Sequence, residues 1–177
     1  MSAWVGLLRG VNVGGKTLRM ADLERALRTS GMSGVRSYRA TGNILLEAAT
    51  RDRRSLARRL ADAAGSLVGS PVEVFLRTRA EWSELLAVDP FGTSDRPGAS
   101  PYVTFLDSAY AGGTDEVQLP STRFVEVVAR RRTEVLSWGH RVDGRPGFPN
   151  LYVEQRLGVP ATTRNWSTIV GVARLWT

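Results

Sequence analysis

Residues 35–47 read V-R-S-Y-R-A-T-G-N-I-L-L-E. Two strand-like runs, Val35–Arg39 and Asn43–Glu47, flank Ala40-Thr41-Gly42-Asn43, a tight-turn composition. A hairpin of this kind requires antiparallel neighbours. What lies on either side of it therefore decides between a parallel α/β sheet and a mixed or antiparallel α+β sheet.

Upstream, the apolar run Ala3–Arg9 reads as a strand. Met20–Ser30 places Met20, Leu23, Ala26 and Leu27 at helical spacing. Downstream, Arg51–Leu67 is a second helix with Leu56, Leu60 and Ala64 on one face. Ser70-Pro71 ends it, and Val72–Arg77 is a fourth strand. The order β-α-β-β-α-β is that of ferredoxin-like folds. It sets residues 1–78 as one half.

Residues 79–177 read as a second α+β half. Helix Ala80–Val88 is followed by a Pro/Gly/Ser-rich loop, 89–100, and a strand at Tyr102–Leu106. A hairpin then joins Ser121–Ala129 to Thr133–Trp138 across Arg130-Arg131-Arg132. After an irregular glycine- and proline-rich loop come helix Asn150–Leu157 and a final helix, Thr162–Leu175, so this half is expected to end in two helices. No repeat is visible between the halves in sequence.

Between the first strand and the first helix, Gly10–Thr17 spells G-x-x-x-x-G-K-T, a phosphate-cradling motif. That motif needs a helix beginning at the lysine and a parallel sheet. Here Thr17-Leu18-Arg19 intervene and a hairpin follows, so P-loop-like nucleotide binding stands only as an alternative. The loop retains the means to hold an anion. Gly14 and Gly15 expose backbone N–H groups, and Lys16 adds a compact charge. Of 24 basic residues, Lys16 is the only lysine.

Composition bounds the rest. The net charge is +7 and favours anionic partners, although arginine abundance also follows from a GC-rich genome. There is no cysteine and a single histidine, His140, which exclude cysteine-based clusters and polyhistidine metal sites. No metal or cofactor is expected. No apolar run reaches the roughly 20 residues of a membrane span, and the amino end lacks the basic region of a signal peptide. The expectation is a soluble, cytoplasmic protein with no membrane partner.

"LLRGVNVGGK" (7–16), "VRSYRATGNILLE" (35–47), "DPF" (89–91) and "LGVPATTRNWSTI" (157–169) together resemble the bacterial domain-of-unknown-function 1697 family. The resemblance covers essentially the whole chain. It implies a two-part α+β protein with ferredoxin-like halves and implies no activity. Its strongest positions fall here on Arg9, Gly10, Asn12, Gly14, Gly15, Lys16, Gly42, Asn43, Thr162, Arg164, Asn165 and Trp166. Thr41 stands where relatives usually have serine. Residues 144–150 lack the serine and lysine that relatives often carry there.

These residues define the expected site, one cleft formed by the 9–16 loop and the start of the last helix: Arg9, Asn12, Gly14, Gly15 and Lys16 of the first loop, Thr41 and Asn43 of the turn, and Thr162, Arg164, Asn165 and Trp166 at the start of the last helix. A guanidinium fork, an amide and an indole face suit a small phosphate- or carboxylate-bearing ligand. The alternative reading of Trp166, Arg164 and Asn165 is core anchoring and backbone satisfaction. A nucleic-acid-binding module is a second functional alternative, drawing on Arg51–Arg59 and Arg130–Arg132. Ser137, His140 and Asp143 are hydrolase residue types, but they lie close together in sequence, whereas triads are assembled from separate elements. No catalytic set is assigned.

Overall fold

The computed structural model describes residues 1–15, 17–92, 96–107 and 117–176. The chain forms two compact units. One is Met1–Ala87 with Gly171–Thr177, and the other is Val88–Val170.

In the first unit, β1 (Ser2–Leu8), α1 (Met20–Thr29), β2 (Ser33–Tyr38), β3 (Asn43–Ala48), α2 (Arg53–Val68) and β4 (Val74–Thr78) build a wholly antiparallel sheet in the order β2-β3-β1-β4. Alternate residues of a strand share a face. Trp4, Leu8, Ile44, Leu46 and Leu76 form one core with Leu23 and Leu27 of α1 and Leu56, Leu60 and Ala64 of α2. Gly6 lies directly beneath α2, where a Cβ would stand 2.8 Å from Leu60 Cδ2. Asp52 caps α2 by accepting from Ser55 N at 3.1 Å, and Gly69, at φ 70°, closes it.

The strand β4 runs without a loop into α3 (Arg79–Ala87), which packs on β1 and β4. Thr78 and Glu81 form a reciprocal cap. Thr78 N donates to Glu81 Oε2 at 2.7 Å, and Glu81 N donates to Thr78 Oγ1 at 3.2 Å. Arg53 adds hydrogen bonds of 2.6 and 2.7 Å to the same carboxylate. The sequence-based boundary at 78/79 separates α3 from the strands it covers. The compact units divide after Ala87 instead, and Gly171–Thr177 returns to the first unit.

In the second unit, β5 (Ala99–Leu106), β6 (Val125–Arg130), β7 (Glu134–His140), α4 (Pro149–Leu157) and β8 (Ala161–Asn165) give a second antiparallel sheet in the order β6-β7-β5-β8. Leu106, Val135 and Ala161 pack there with Val153 and Leu157 of α4. The segment 139–149 is more ordered than its composition suggests. Asp143 and Gly144 have φ of 51° and 75°, and Val142 and Arg145 exchange two backbone hydrogen bonds of 2.9 Å. Both central residues of a type I′ turn need positive φ, and Asp-Gly satisfies this.

The expected final helix, Thr162–Leu175, is corrected. Ala161–Asn165 is the strand β8, and α5 spans Trp166–Ala173, followed by a 3-10 turn at Arg174–Trp176. The β-branched pair Thr162-Thr163 suits a pleated surface, and β5 supplies a complete partner register from Tyr102↔Asn165 to Leu106↔Ala161. The helix cap is Asn165, whose Oδ1 accepts from Ser167 N at 2.9 Å.

The two sheets correspond residue by residue. Trp4 lies between Leu46 and Thr78, and Tyr102 between Ser137 and Asn165. Val5 lies between Leu45 and Arg77, and Val103 between Leu136 and Arg164. Both fourth strands pass from an arginine through a capping Thr78 or Asn165 directly into a helix. The corresponding edge strands β2 and β6 each carry a register shift, at Ser33/Arg36 and Val127/Ala129. The correspondence lies in topology and register, where the sequence shows no repeat.

Glu81→Gln tests the cap. Burial raises the Glu81 carboxyl, but hydrogen bonds from Arg53 and Thr78 outweigh it and hold the pKa below the usual carboxylate value. The resulting stabilisation is present above about pH 4.5 and is lost as pH falls through the lowered value. The substitution is expected to cost about 1 kcal/mol at neutral pH. In urea titrations across pH 3 to 7, the variant should lose stability less steeply than wild type on the acid side.

Candidate functional site

The β1–α1 loop and the β2–β3 turn meet at one end of the first sheet because β1 and β3 are antiparallel neighbours. Leu8 N donates to Gly42 O at 2.8 Å, and Arg9 N donates to Glu73 O at 2.9 Å. The Arg9 guanidinium pairs with the Glu73 carboxylate. Gly42, at φ 74°, is pressed against the loop, where a Cβ would fall 2.6 Å from Val11 Cγ2 and 2.9 Å from Leu8 Cβ. Any other residue there would meet both strain and overlap.

Asn12 is the bracket of this end. Its φ is 56°, a left-handed conformation that asparagine tolerates better than most residues. Its Oδ1 accepts from Leu18 N at 2.7 Å, while Nδ2 donates to Leu18 O at 3.0 Å and to Ala40 O at 2.6 Å. One side chain thus fastens the two ends of the loop to each other and to the turn. Asn43 is fully buried, and its Nδ2 donates to Tyr38 O at 3.0 Å and Thr41 Oγ1 at 2.9 Å. The amide hydrogens of both asparagines are directed at protein oxygens.

Above this base the loop is open. Gly14 and Gly15 are exposed with φ of 60° and 88°, and a Cβ at either would meet nothing within 4 Å. Residues 9–19 carry Arg9, Lys16 and Arg19 and no acid. Lys16 itself lies outside the described residues. The helix α1 begins at Met20 and the sheet is antiparallel throughout, so the loop lacks the helix-start and parallel-strand geometry of a P-loop.

The remaining expected residues belong to the second unit. Thr162 and Thr163 are buried on β8. Thr163 Oγ1 is 2.8 Å from Thr104 Oγ1 and donates to Asn150 Oδ1 at 3.0 Å. Arg164 donates to Thr162 Oγ1 at 2.8 Å and to Thr163 O at 2.9 Å, and desolvation lowers its pKa to about 10. Trp166 stands edge-on to Phe91 at 5.3 Å, and Phe91 edge-on to Trp138 at the same distance. The expected set is therefore divided between the units. The loop and turn are joined directly in the first, whereas Thr162–Trp166 is a strand and its exit in the second.

Two other expectations resolve in geometry. Ser137 and His140 both lie on β7 but are an odd number of residues apart, on opposite faces, and Asp143 is in the exposed turn. His140 Nε2 is 3.1 Å from Glu126 Oε2, a carboxylate that Arg96 also grips at 2.8 Å. Within the arginine-rich stretch 51–59, Arg53 is held by Glu81, and Arg59 donates to Ser30 O at 2.7 Å. Arg77, which no motif marked, is 2% exposed at the centre of a strand face. Its signal in sequence was its place before Thr78, matching Arg164 before Asn165.

Paired four-stranded sheets with helices on the β1–β3 and β5–β7 register define a tandem ferredoxin-like α+β protein. The chain belongs to the family described as Protein of unknown function (DUF1697), whose model matches residues 1–134. It is also similar to a solved structure of the conserved bacterial protein SP0830 from Streptococcus pneumoniae, with 18% identity, a TM-score of 0.66 and 99% of each chain covered. At that identity the likeness establishes the fold. No curated protein matches the chain. Among the described residues, no helix is long and apolar enough to cross a membrane, and no group of acidic or histidine side chains forms a metal cluster.

Replacing Asn12 separates its two structural contributions. Asn12→Gly keeps the left-handed backbone and loses the bracket; Asn12→Ala loses both. Asn12→Ala is expected to destabilise by about 2–3 kcal/mol and Asn12→Gly by about 1 kcal/mol less. Urea denaturation of the two variants checks the order.

Proposed function

We propose that the β1–α1 loop of the first unit binds a small anionic ligand through a phosphate or carboxylate group. The supporting observation is the division of labour within the loop. Asn12 is committed to bracing the backbone, while Gly14 and Gly15 stay exposed on that fixed base. Backbone N–H groups held beside cations bind oxyanions with little reorganisation. Lys16 supplies the charge nearest to Gly14-Gly15 in sequence, and Arg9 a second, tempered by Glu73. Thr41 and Asn43 support the loop from the turn. In the second unit, Thr162, Arg164, Asn165 and Trp166 take the core-anchoring role in this reading, because their described partners are their own strand, α4 and the Phe91 ring.

A thermal-shift panel of inorganic phosphate, nucleotides, sugar phosphates and small carboxylates tests the reading on wild type and Lys16→Ala. At a ligand concentration 100 times Kd, binding stabilises by about 2.7 kcal/mol, enough to move Tm by several degrees. At least one compound should raise the wild-type Tm and leave Lys16→Ala unmoved. A panel without effect on wild type, or equal shifts in both proteins, sinks the proposal.

A further inference from the structure

The correspondence between the two sheets gives an internal standard for which polar residues the fold itself requires. On the helix-covered face of the first sheet, the matched positions are Trp4, Gly6, Leu46 and Leu76, part of an apolar core apart from the glycine. On the α4-covered face of the second sheet, the same positions are Tyr102, Thr104, Ser137 and Thr163. A residue type that the topology fills with tryptophan or leucine in one unit has become a hydroxyl in the other. Departures of this sort mark functional sites.

Thr104 and Thr163 satisfy each other and Asn150, as described above. Ser137 does not. It is fully buried, and its Oγ has no hydrogen-bond partner among the described residues. A buried hydroxyl left in this state costs free energy that an alanine or leucine would avoid.

Tyr102, the register partner of Ser137, lines a cavity of about 290 Å³. Its walls include Gly98, Ser100, Tyr102, Gly139, Arg141 and Gly147. The volume is at the small end of the range for small-molecule sites, about 300–1,000 Å³. The walls are preformed. Gly147 N donates to His140 O at 2.8 Å, His140 N to Phe124 O at 2.8 Å, and Arg141 N to Gly98 O at 2.7 Å. A Cβ on Gly139 would lie 1.8 Å from Gly147 O and one on Gly147 2.0 Å from Phe124 O, so the loop closes on the sheet because both residues are glycine.

Three groups at this cavity have unused capacity. Neither Ser100 Oγ nor Tyr102 OH has a hydrogen-bond partner among the described residues, and Arg141 has no carboxylate partner there. Among the described residues, the side-chain bond of Arg141 runs from its guanidinium to Gly144 O at 3.1 Å. Phe148, 52% exposed, stands edge-on to Tyr102 at 5.5 Å and extends the aromatic wall outwards.

We propose that this cavity is a second binding site, distinct from the β1–α1 loop, for a small ligand that joins an oxyanion to an aromatic body. The oxyanion, carboxylate or phosphate, sits against the Arg141 guanidinium with hydrogen bonds from Ser100 and Tyr102. The ring lies along Tyr102 and Phe148. The signal in sequence was the polar alternation Ser100, Tyr102, Thr104 along an otherwise apolar strand.

Benzoate, phenyl phosphate and the neutral benzamide serve as probes, titrated into the full chain by amide NMR. Benzoate or phenyl phosphate should move the Gly98, Gly139, Arg141 and Gly147 amides saturably, and the stronger of the two identifies the oxyanion. Benzamide should bind at least about tenfold more weakly. Arg141→Gln, at an exposed position, should weaken the better probe about tenfold or more, Tyr102→Phe should also weaken it, and Lys16→Ala should leave it unchanged. The proposal is overturned by an absence of saturable shifts at these amides or by equal affinity in Arg141→Gln. Loss of the shifts in Lys16→Ala would also overturn it and assign the probe to the first unit's loop.

Discussion

A central strand of each sheet is buried on both faces. Trp4, Val5, Leu7 and Leu8 of β1 are each 3% exposed or less, and Val103, Phe105 and Leu106 of β5 are fully buried. A strand of this kind cannot sit in a sheet with one wet side. In the first unit α1 and α2 cover one face, while α3 packs on β1 and β4. This explains why β4 turns into α3 with no intervening loop and why the junction is capped so thoroughly. Arg77 at that junction is the cost of the arrangement, a guanidinium on a buried strand face. The second unit repeats the junction with Arg164, whose burial lowers its pKa to about 10. Holding a cation in such a place needs good local geometry, and each guanidinium donates at 2.9 Å to the carbonyl of the residue before it, Leu76 or Thr163.

Much of the first unit was legible in sequence because its signals are local. The hairpin 35–47, the helical spacing of Leu23 and Leu27, and the strand before Arg9 each depend on a few adjacent residues. The final segment was not legible for the opposite reason. Thr162–Leu175 carries apolar residues compatible with one helix, and the choice of strand for its first residues came from β5, more than fifty residues earlier in the chain. Long-range pairing overrides local propensity in such cases. The duplication was invisible because it is conserved in register and turn placement, while most matched side chains differ. Tryptophan opposite tyrosine and leucine opposite serine do not read as a repeat.

The candidate site was legible in its residues and less so in their roles. Asn12, Asn43 and Gly42 belong to recognisable motifs, but sequence does not say whether an amide faces backbone or solvent. Structure gives the two asparagines to the backbone and gives Gly42 a packing reason. The exposed part of the first loop includes Gly14 and Gly15, where there is least side chain. The polar stripe of the second unit went unread because an alternating strand such as Ser100–Leu106 ordinarily indicates a face in water. Only comparison with β1 shows that this face is interior.

The matching irregularities in β2 and β6 bear on how the protein behaves in a crowded solution. An outer strand with regular spacing offers its free amide and carbonyl row to any extended chain that drifts past. Each of these two strands contains an extra residue, so its row falls out of step partway along. A straight incoming strand can match one side of the irregularity but not the other. The β2 and β6 edges are therefore poor templates for a further strand, a safeguard repeated along with the fold.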